Sequence, residues 1–359
     1  MTGTLQKSTH SVTRLATRPV AIWLFVMCGL VALMVLVGGA TRLTDSGLSI
    51  TEWKPVTGAI PPLSQADWLT EFEKYKAIPE YDLINFGMSL EEFKVIYWWE
   101  WGHRFLGRMI GLAFIIPLIG FIATGRIARS LALPLLGLFV LGGLQGALGW
   151  YMVQSGLSDR IDVSQYRLAA HLGLAIILYA AIFWLALNLI SHKRSHPVKG
   201  KIAVLASVFS IGVFLQIILG AFVAGLRAGK TFNTWPLMDG RFVPEGYFQA
   251  GPRFLDLFET IAAVQFNHRL GAYIVAAIGV WLFLAARRSE LGKRASITAG
   301  ILGFQILVGI ATVAMATPIA FGLAHQAIAL LLFSAALWTL HGCTRSMEIT
   351  DSSSSKLAI

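Results

Sequence analysis

The sequence predicts an all-α polytopic membrane protein: eight transmembrane helices forming two pseudo-two-fold-related four-helix bundles, with the axis along the membrane normal. Three observations carry this. Runs of roughly 20 apolar residues recur along the chain, long enough to cross a ~30 Å hydrocarbon core. Lys and Arg gather in alternate loops, and the second half of the chain repeats motifs of the first. Composition agrees. Of 359 residues, 56% are hydrophobic and 13% charged, against about 25% charged in a soluble domain. Mean hydropathy is +0.67. The net charge of +10 needs no nucleic-acid partner to explain it, because cytoplasmic loops of membrane proteins collect Lys and Arg. Cys28 and Cys343 belong to no CxxC pair and are expected to form no disulfide.

Taken in order, the spans cover about 20–41, 101–124, 131–154, 168–190, 202–226, 262–286, 296–316 and 320–341, each long enough for a spanning helix. Residues 1–19 carry Lys7, Arg14 and Arg18 and no acid, and no small-residue cleavage site follows, so span 1 is a retained helix behind a cytoplasmic tail. Orientation follows from the short basic loops. The tail, Arg126 and Arg129, His192 to Lys201 and Arg287 to Arg294 mark the inside. The 42–97 loop, with five Lys/Arg against nine Asp/Glu, and the 155–167 and 227–258 loops lie outside. Both termini are therefore inside, with an N-terminal bundle over 20–190, a linker over 191–201, a C-terminal bundle over 202–341 and a polar tail over 342–359.

The repeat pairs "EWGHRFLGRMIG" (Glu100 to Gly111) with "QFNHRLGAYIVA" (Gln265 to Ala276). It also pairs "AAHLGLAIILYAAIFW" (Ala169 to Trp184) with "LAHQAIALLLFSAALW" (Leu323 to Trp338). Four spans per half give both halves the same orientation.

Of eight histidines, His10, His192, His196 and His341 fall in the tail, an inner loop and the inner end of span 8, where solvated or interfacial rings are expected. His103, His171, His268 and His325 fall one per even-numbered span and pair across the repeat. Ionisable residues in a span are functional by default. Two facing histidines supply the axial nitrogens of a haem iron, and a bundle interior accepts the flat ring. Gly107, Ala175, Ala272 and Ala329 stand one turn after the four histidines and leave room for it. About 22, 19, 18 and 16 residues separate the four from the inner ends of their helices, roughly 24–33 Å. Both porphyrin sites are thus expected near the outer face. Arg42, Arg104, Arg108, Arg227 and Arg269 are candidates for the two propionates, which guanidinium pairs bidentately.

The repeat breaks at Glu100, three residues before His103, where the other half has Gln265. A carboxylate beside a porphyrin can act as general base, and Glu100 is the candidate acid–base residue. Trp98, Trp99 and Trp101 suit an interfacial belt. Gln145, Gln216 and Gln305 each precede a glycine by four and read as interhelical hydrogen-bond glue.

With "ATRLTDSGLSITEWKPVTGAIPP", "EWGHRFLGR", "AAHLGLA", "QFNHRLGAY" and "LAHQAIALLL" in place, the chain from about residue 20 to 342 resembles the haem A synthase family. The resemblance implies a membrane oxidoreductase acting on a CH group. It would convert the C8 methyl of haem O to the formyl of haem A by successive hydroxylation, with water as oxygen source. It implies one haem b cofactor on His268 and His325, with Arg269 and Arg227. It implies substrate haem O on His103 and His171, with Arg42, Arg104 and Arg108, and Glu100 as the family's acidic residue. Haem O synthase, oxidase assembly factors and further copies of the chain are implied partners beside membrane lipid. Some members carry an outer-loop cysteine pair; this chain has none there and looks like the proteobacterial and mitochondrial branch. Its short N-terminal tail favours a bacterial inner membrane over a mitochondrial one. The competing classes are a quinol-linked dihaem b-type electron carrier and a haem exporter or chaperone. Bound haem O or haem A beside haem B separates the enzyme from the first.

Overall fold

The computed structural model describes residues 3–158, 160–191, 200–247 and 254–344. Most of the predicted 191–201 linker, with His192 and His196, and the tail beyond 344 lie outside the described residues. The chain forms α1 (Gly3–Leu43), α2 (Gln65–Lys76), α3 (Pro79–Leu83), α4 (Leu90–Ala123), α5 (Arg129–Gln154), α6 (Gln165–Ile190), α7 (Lys201–Gly225), α8 (Ile261–Ala286), α9 (Gly292–Ala314) and α10 (Ile319–His341). All but α2 and α3 are long and apolar enough to span a membrane, which makes this an eight-span, multi-pass membrane protein. Seven predicted spans match within a few residues.

The second departs. α4 starts at Leu90, where the structure corrects the predicted start at 101. Ser89 Oγ accepts from the Glu92 N–H and the Glu92 carboxylate accepts from the Ser89 N–H, a capping box. Glu91, Glu92 and Lys94 keep this stretch polar, so hydropathy does not register it, while Phe93 and Tyr97 bury their rings on its inner side.

Those rings belong to a second, smaller core. The 42–97 segment is a folded cap in which Trp68, Phe72 and Tyr75 of α2 pack on Phe93 and Tyr97 of α4. Phe72 stacks on Phe93 at 4.9 Å, and Trp68 meets Tyr97 edge-on at 5.0 Å. Ser64 and Asp67 cap α2 with their own box.

The main core joins the halves. α1 packs on α6 and α10, and α7 on α6 and α10. Tyr179 OH and Ser334 Oγ lie 2.7 Å apart across α6 and α10. At the end of the bundle where α10 finishes, His341, expected solvated or interfacial, is buried: its Nε2 lies 2.8 Å from Asn188 Oδ1 and its ring meets Trp184 edge-on. A polar partner on α6 removes the need for water. At the other end Arg42 and Arg227 close on Asp162 at 2.7 and 2.9 Å. Burial alone raises the Asp162 carboxyl, but hydrogen bonds and charge from Arg227 and Arg42 outweigh it and hold the group below the usual range. Cys28 and Cys343 are both buried, and the Cys343 thiol donates to the Thr339 carbonyl.

Glu80 of α3 is 3% exposed, and its Oε2 has no partner. Burial, then the charges of Glu100, Asp162 and Asp45, push this carboxyl up to about 8 against the opposing pull of Arg227. The folded state therefore holds a proton that the unfolded chain releases from about pH 4.3 upward. Stability falls as pH rises from there to about 8. Thermal unfolding in detergent should show Glu80→Gln gaining over the parent at pH 8 and matching it near pH 5; equal behaviour at both would remove this role.

Candidate functional site

Each key histidine stands in the early turns of its spanning helix, α4, α6, α8 or α10. The antiparallel helix before it brings its last two turns alongside, and there each ring meets a glycine. A Cβ at Gly149 would lie 2.8 Å from His171 Cε1, one at Gly309 2.8 Å from His325 Cε1, one at Gly220 3.3 Å from His268 Cε1, and one at Gly38 3.1 Å from His103 Nε2. A side chain at any of the four would compete with the imidazole for space.

His268 and His325 face each other with ring centroids 6.4 Å apart and planes at 78°. A metal–imidazole nitrogen bond is about 2.0–2.1 Å. Two such bonds in line, plus roughly 1 Å from nitrogen to ring centre on each side, put the centroids about 6 Å apart. The C-terminal pair therefore has the spacing of two axial ligands. Among the described residues no ring contact of that kind joins His103 and His171.

One turn before its glycine, a glutamine holds the ring. Gln216 Nε2 lies 3.0 Å from His268 Nδ1 and donates to the His268 carbonyl at 2.8 Å. Gln145 Nε2 lies 3.2 Å from His171 Nδ1 and donates to its carbonyl at 2.9 Å. Gln305 Nε2 lies 3.2 Å from His325 Nδ1. All three Oε1 atoms are buried without a partner. An amide turned over would offer Oε1 to an Nδ1–H, the tautomer that frees the Nε2 lone pair for iron. These glutamines form the interhelical hydrogen bonds that the sequence suggests, each to the histidine of the next helix; sequence reasoning missed the glycine cradles. The available signal was the repeated spacing in "QGALG", "QIILG" and "QILVG".

The arginines do more than await propionates. Arg104 donates to the carbonyls of Glu52 at 2.9 Å and Ile50 at 2.7 Å, and Arg108 to those of Pro55 and Lys54 at 2.8 Å. Arg269 repeats the Arg104 pattern on the Thr234 and Phe232 carbonyls. Among the described residues Arg108 Nη1, Arg227 Nε, Arg269 Nε and Trp101 Nε1 are buried with no hydrogen-bond partner. Arg42 donates to the Ala224 and Gly225 carbonyls, tying it to α7.

Glu100 is 2% exposed and accepts three hydrogen bonds. Its Oε2 accepts from Ser49 Oγ and the Ile50 N–H at 2.8 Å each, and its Oε1 accepts from Arg104 at 2.6 Å. Gln265, equally buried, donates through Nε2 to the Ala228 carbonyl at 2.8 Å and the Thr231 carbonyl at 2.6 Å, and accepts from Arg269 at 3.2 Å. One cap presents donors and receives a carboxylate; the other presents carbonyls and receives an amide.

Paired imidazoles, glycine clearances and buried guanidinium and indole N–H groups without partners fit a porphyrin with its propionates. They define a class: a polytopic helical membrane protein with four glycine-cradled histidines near one end of the bundle, two of which, His268 and His325, face each other. Residues 21–337 match the model of the cytochrome oxidase assembly protein family, and the chain belongs to that family. It is 52% identical to a heme A synthase of Parvibaculum lavamentivorans over 90% of this chain and 93% of that one. It is 50% identical to one of Nitrosospira multiformis over 91% and 94%, and 49% identical to one of Maricaulis maris over 92% and 98%.

The cradles can be tested directly. Gly309→Ala should displace His325 and lower bound haem per protein chain, measured by absorbance after purification. Gly300→Ala, on the same helix with open space at its Cβ, should leave it unchanged.

Proposed function

We propose that this chain is a haem A synthase: it takes haem O as substrate and oxidises the C8 methyl to the formyl of haem A, with water as oxygen source and the four electrons and four protons released passing to a redox acceptor and to solvent outside the chain. The observation that carries this is the combination of four glycine-cradled histidines with relatives of that name at about half identity over nine-tenths of the chain. His268 and His325, at 6.4 Å between ring centres, would hold a haem b cofactor in the C-terminal half, with Arg269 and Arg227 toward its propionates. When bound, that group supplies one-electron redox chemistry.

His103 and His171 would bind haem O, with Arg104 and Arg108 at its rim and Arg42 bracing the α1–α7 contact. Glu100 takes up the protons released as the methyl group is oxidised. A carboxylate has about four lone-pair positions, and Ser49, Ile50 and Arg104 occupy three, so one remains for a water or a reacting proton. The folded cap over the site limits the access of bulk water. The basic inner loops support a bacterial inner membrane with both termini in the cytoplasm. Haem O synthase and oxidase assembly factors are the natural partners at either end of the reaction.

Glu100→Gln should keep its haem b and lose about 10²–10⁴-fold in conversion of haem O to haem A, followed by pigment extraction and chromatography. Undiminished turnover would remove the acid–base role. His268→Ala should lose haem b and His103→Ala should keep it; the reverse pattern would exchange the two halves.

A further inference from the structure

Four helices present the same device to four histidines, with one exception. The segments "QGALG", "QIILG" and "QILVG" (Gln145 to Gly149, Gln216 to Gly220, Gln305 to Gly309) each set a glutamine one turn before the glycine that receives the ring. On α1 the segment is "MVLVG", Met34 to Gly38. Met34 stands where the amide would be, its Cε 3.0 Å from a Cβ built at Gly107, one turn past His103. Among the described residues no side chain hydrogen-bonds the His103 ring.

That ring is also turned differently. His171, His268 and His325 offer Cε1 and then Nδ1 to their glycines, whereas His103 offers Nε2 and Cδ2 to Gly38, at 3.1 and 3.5 Å. The two orientations differ by a half-turn about χ2 that exchanges Nε2 with Cε1 within one ring outline, and among the described residues nothing polar selects between them for His103.

We propose that Met34 makes His103 the one releasable ligand of the four, so that the N-terminal site exchanges its porphyrin while the doubly clamped C-terminal site keeps its own. This rests on the assignment of substrate to His103 and His171 and of cofactor to His268 and His325. Gln145 still fixes His171, so the N-terminal site has one held ring and one free ring. A site that must accept haem O and discharge haem A needs such a ligand; a cofactor site needs the opposite. Gln216, Gln305 and Met34 are positioning residues, because they act through the imidazoles.

The test is porphyrin retention. Purified protein in detergent is mixed with excess apomyoglobin, and transfer of each porphyrin is followed by absorbance and by chromatography of what remains bound. Outer-shell hydrogen bonds to a metal ligand are commonly worth about 10- to 100-fold in affinity. Met34→Gln should slow release of haem O and haem A by about that factor and leave haem b unchanged. Gln216→Met and Gln305→Met, which do not touch α1, should speed loss of haem b by a similar factor. Met34→Leu controls for repacking against Gly107 and should release like the parent. Parental release from a Met34→Gln protein that retains full haem b, or parental retention of haem b in both glutamine variants, would overturn the proposal. The site assignment fails separately, if His268→Ala removes the fast-exchanging pigment and His103→Ala the slow one.

Discussion

An imidazole can stand between two packed helices only where the facing helix gives up its side chain. Helix axes in such bundles lie roughly 8–10 Å apart, and a ring edge fills the groove that a Cβ would occupy. Gly38, Gly149, Gly220 and Gly309 meet this condition on α1, α5, α7 and α9. The glycine brings the odd helix close enough for the residue one turn earlier to reach Nδ1, which is how the glutamines gain their purchase. It also pins each histidine at the end of the bundle where odd helices finish and even helices begin. Buried amide oxygens without partners are costly in an apolar interior, and here the three of Gln145, Gln216 and Gln305 stand beside the rings, where an Nδ1–H would satisfy them.

The exchange of Glu100 for Gln265 has a structural cause as well as a chemical use. Arg104 and Arg269 make matching hydrogen bonds to two cap carbonyls each. What differs is the polarity of the loop beside them: Ser49 Oγ–H and the Ile50 N–H donate, while the Ala228 and Thr231 carbonyls accept. A carboxylate is an acceptor only and an amide can donate, so each cap selects its partner. Removing one member of the buried Glu100–Arg104 pair would leave an uncompensated charge, at a cost of about 3–5 kcal/mol. The catalytic candidate is therefore also a hinge pin of the cap, and activity loss at this position gains its meaning from whether cofactor retention survives.

Much of this was legible in sequence, for physical reasons that also set the limit. Hydropathy and basic-loop bias see segments that lie in lipid, so seven spans emerge close to their observed bounds. The amphipathic start of α4 and the helices α2 and α3 escaped because charged faces lower the average while Phe93, Tyr97 and Tyr75 bury rings on the other side. The histidines stand out because a titratable residue in an apolar run is rare. Their glycines do not, since Gly is common in spanning helices and 35 are present. The cradles become visible only once antiparallel packing brings odd-helix ends to even-helix starts. The partner of His341 was hidden for the same reason: Asn188 is 153 positions away.

The two sites are not independent copies. Gln326, next to His325, crosses from α10 to α1, donates to the Val35 carbonyl at 3.0 Å and presses its amide on Gly39. Gly39 adjoins Gly38, the cradle of His103, and Val35 adjoins Met34. The backbone that receives the unclamped histidine is thus held by the residue beside a clamped one. Duplication supplied the same glycine, histidine and arginine furniture twice, and symmetry alone would make two equal sites. Under the proposed function one site exchanges its porphyrin and the other keeps it, which needs the two unequal, yet close and rigidly related. Changing the residue one turn before a glycine, on the helix already tied to the other half, alters the grip on one ring without disturbing the frame. The asymmetry accordingly sits in the hydrogen bonds behind the ligands and not in the ligands themselves.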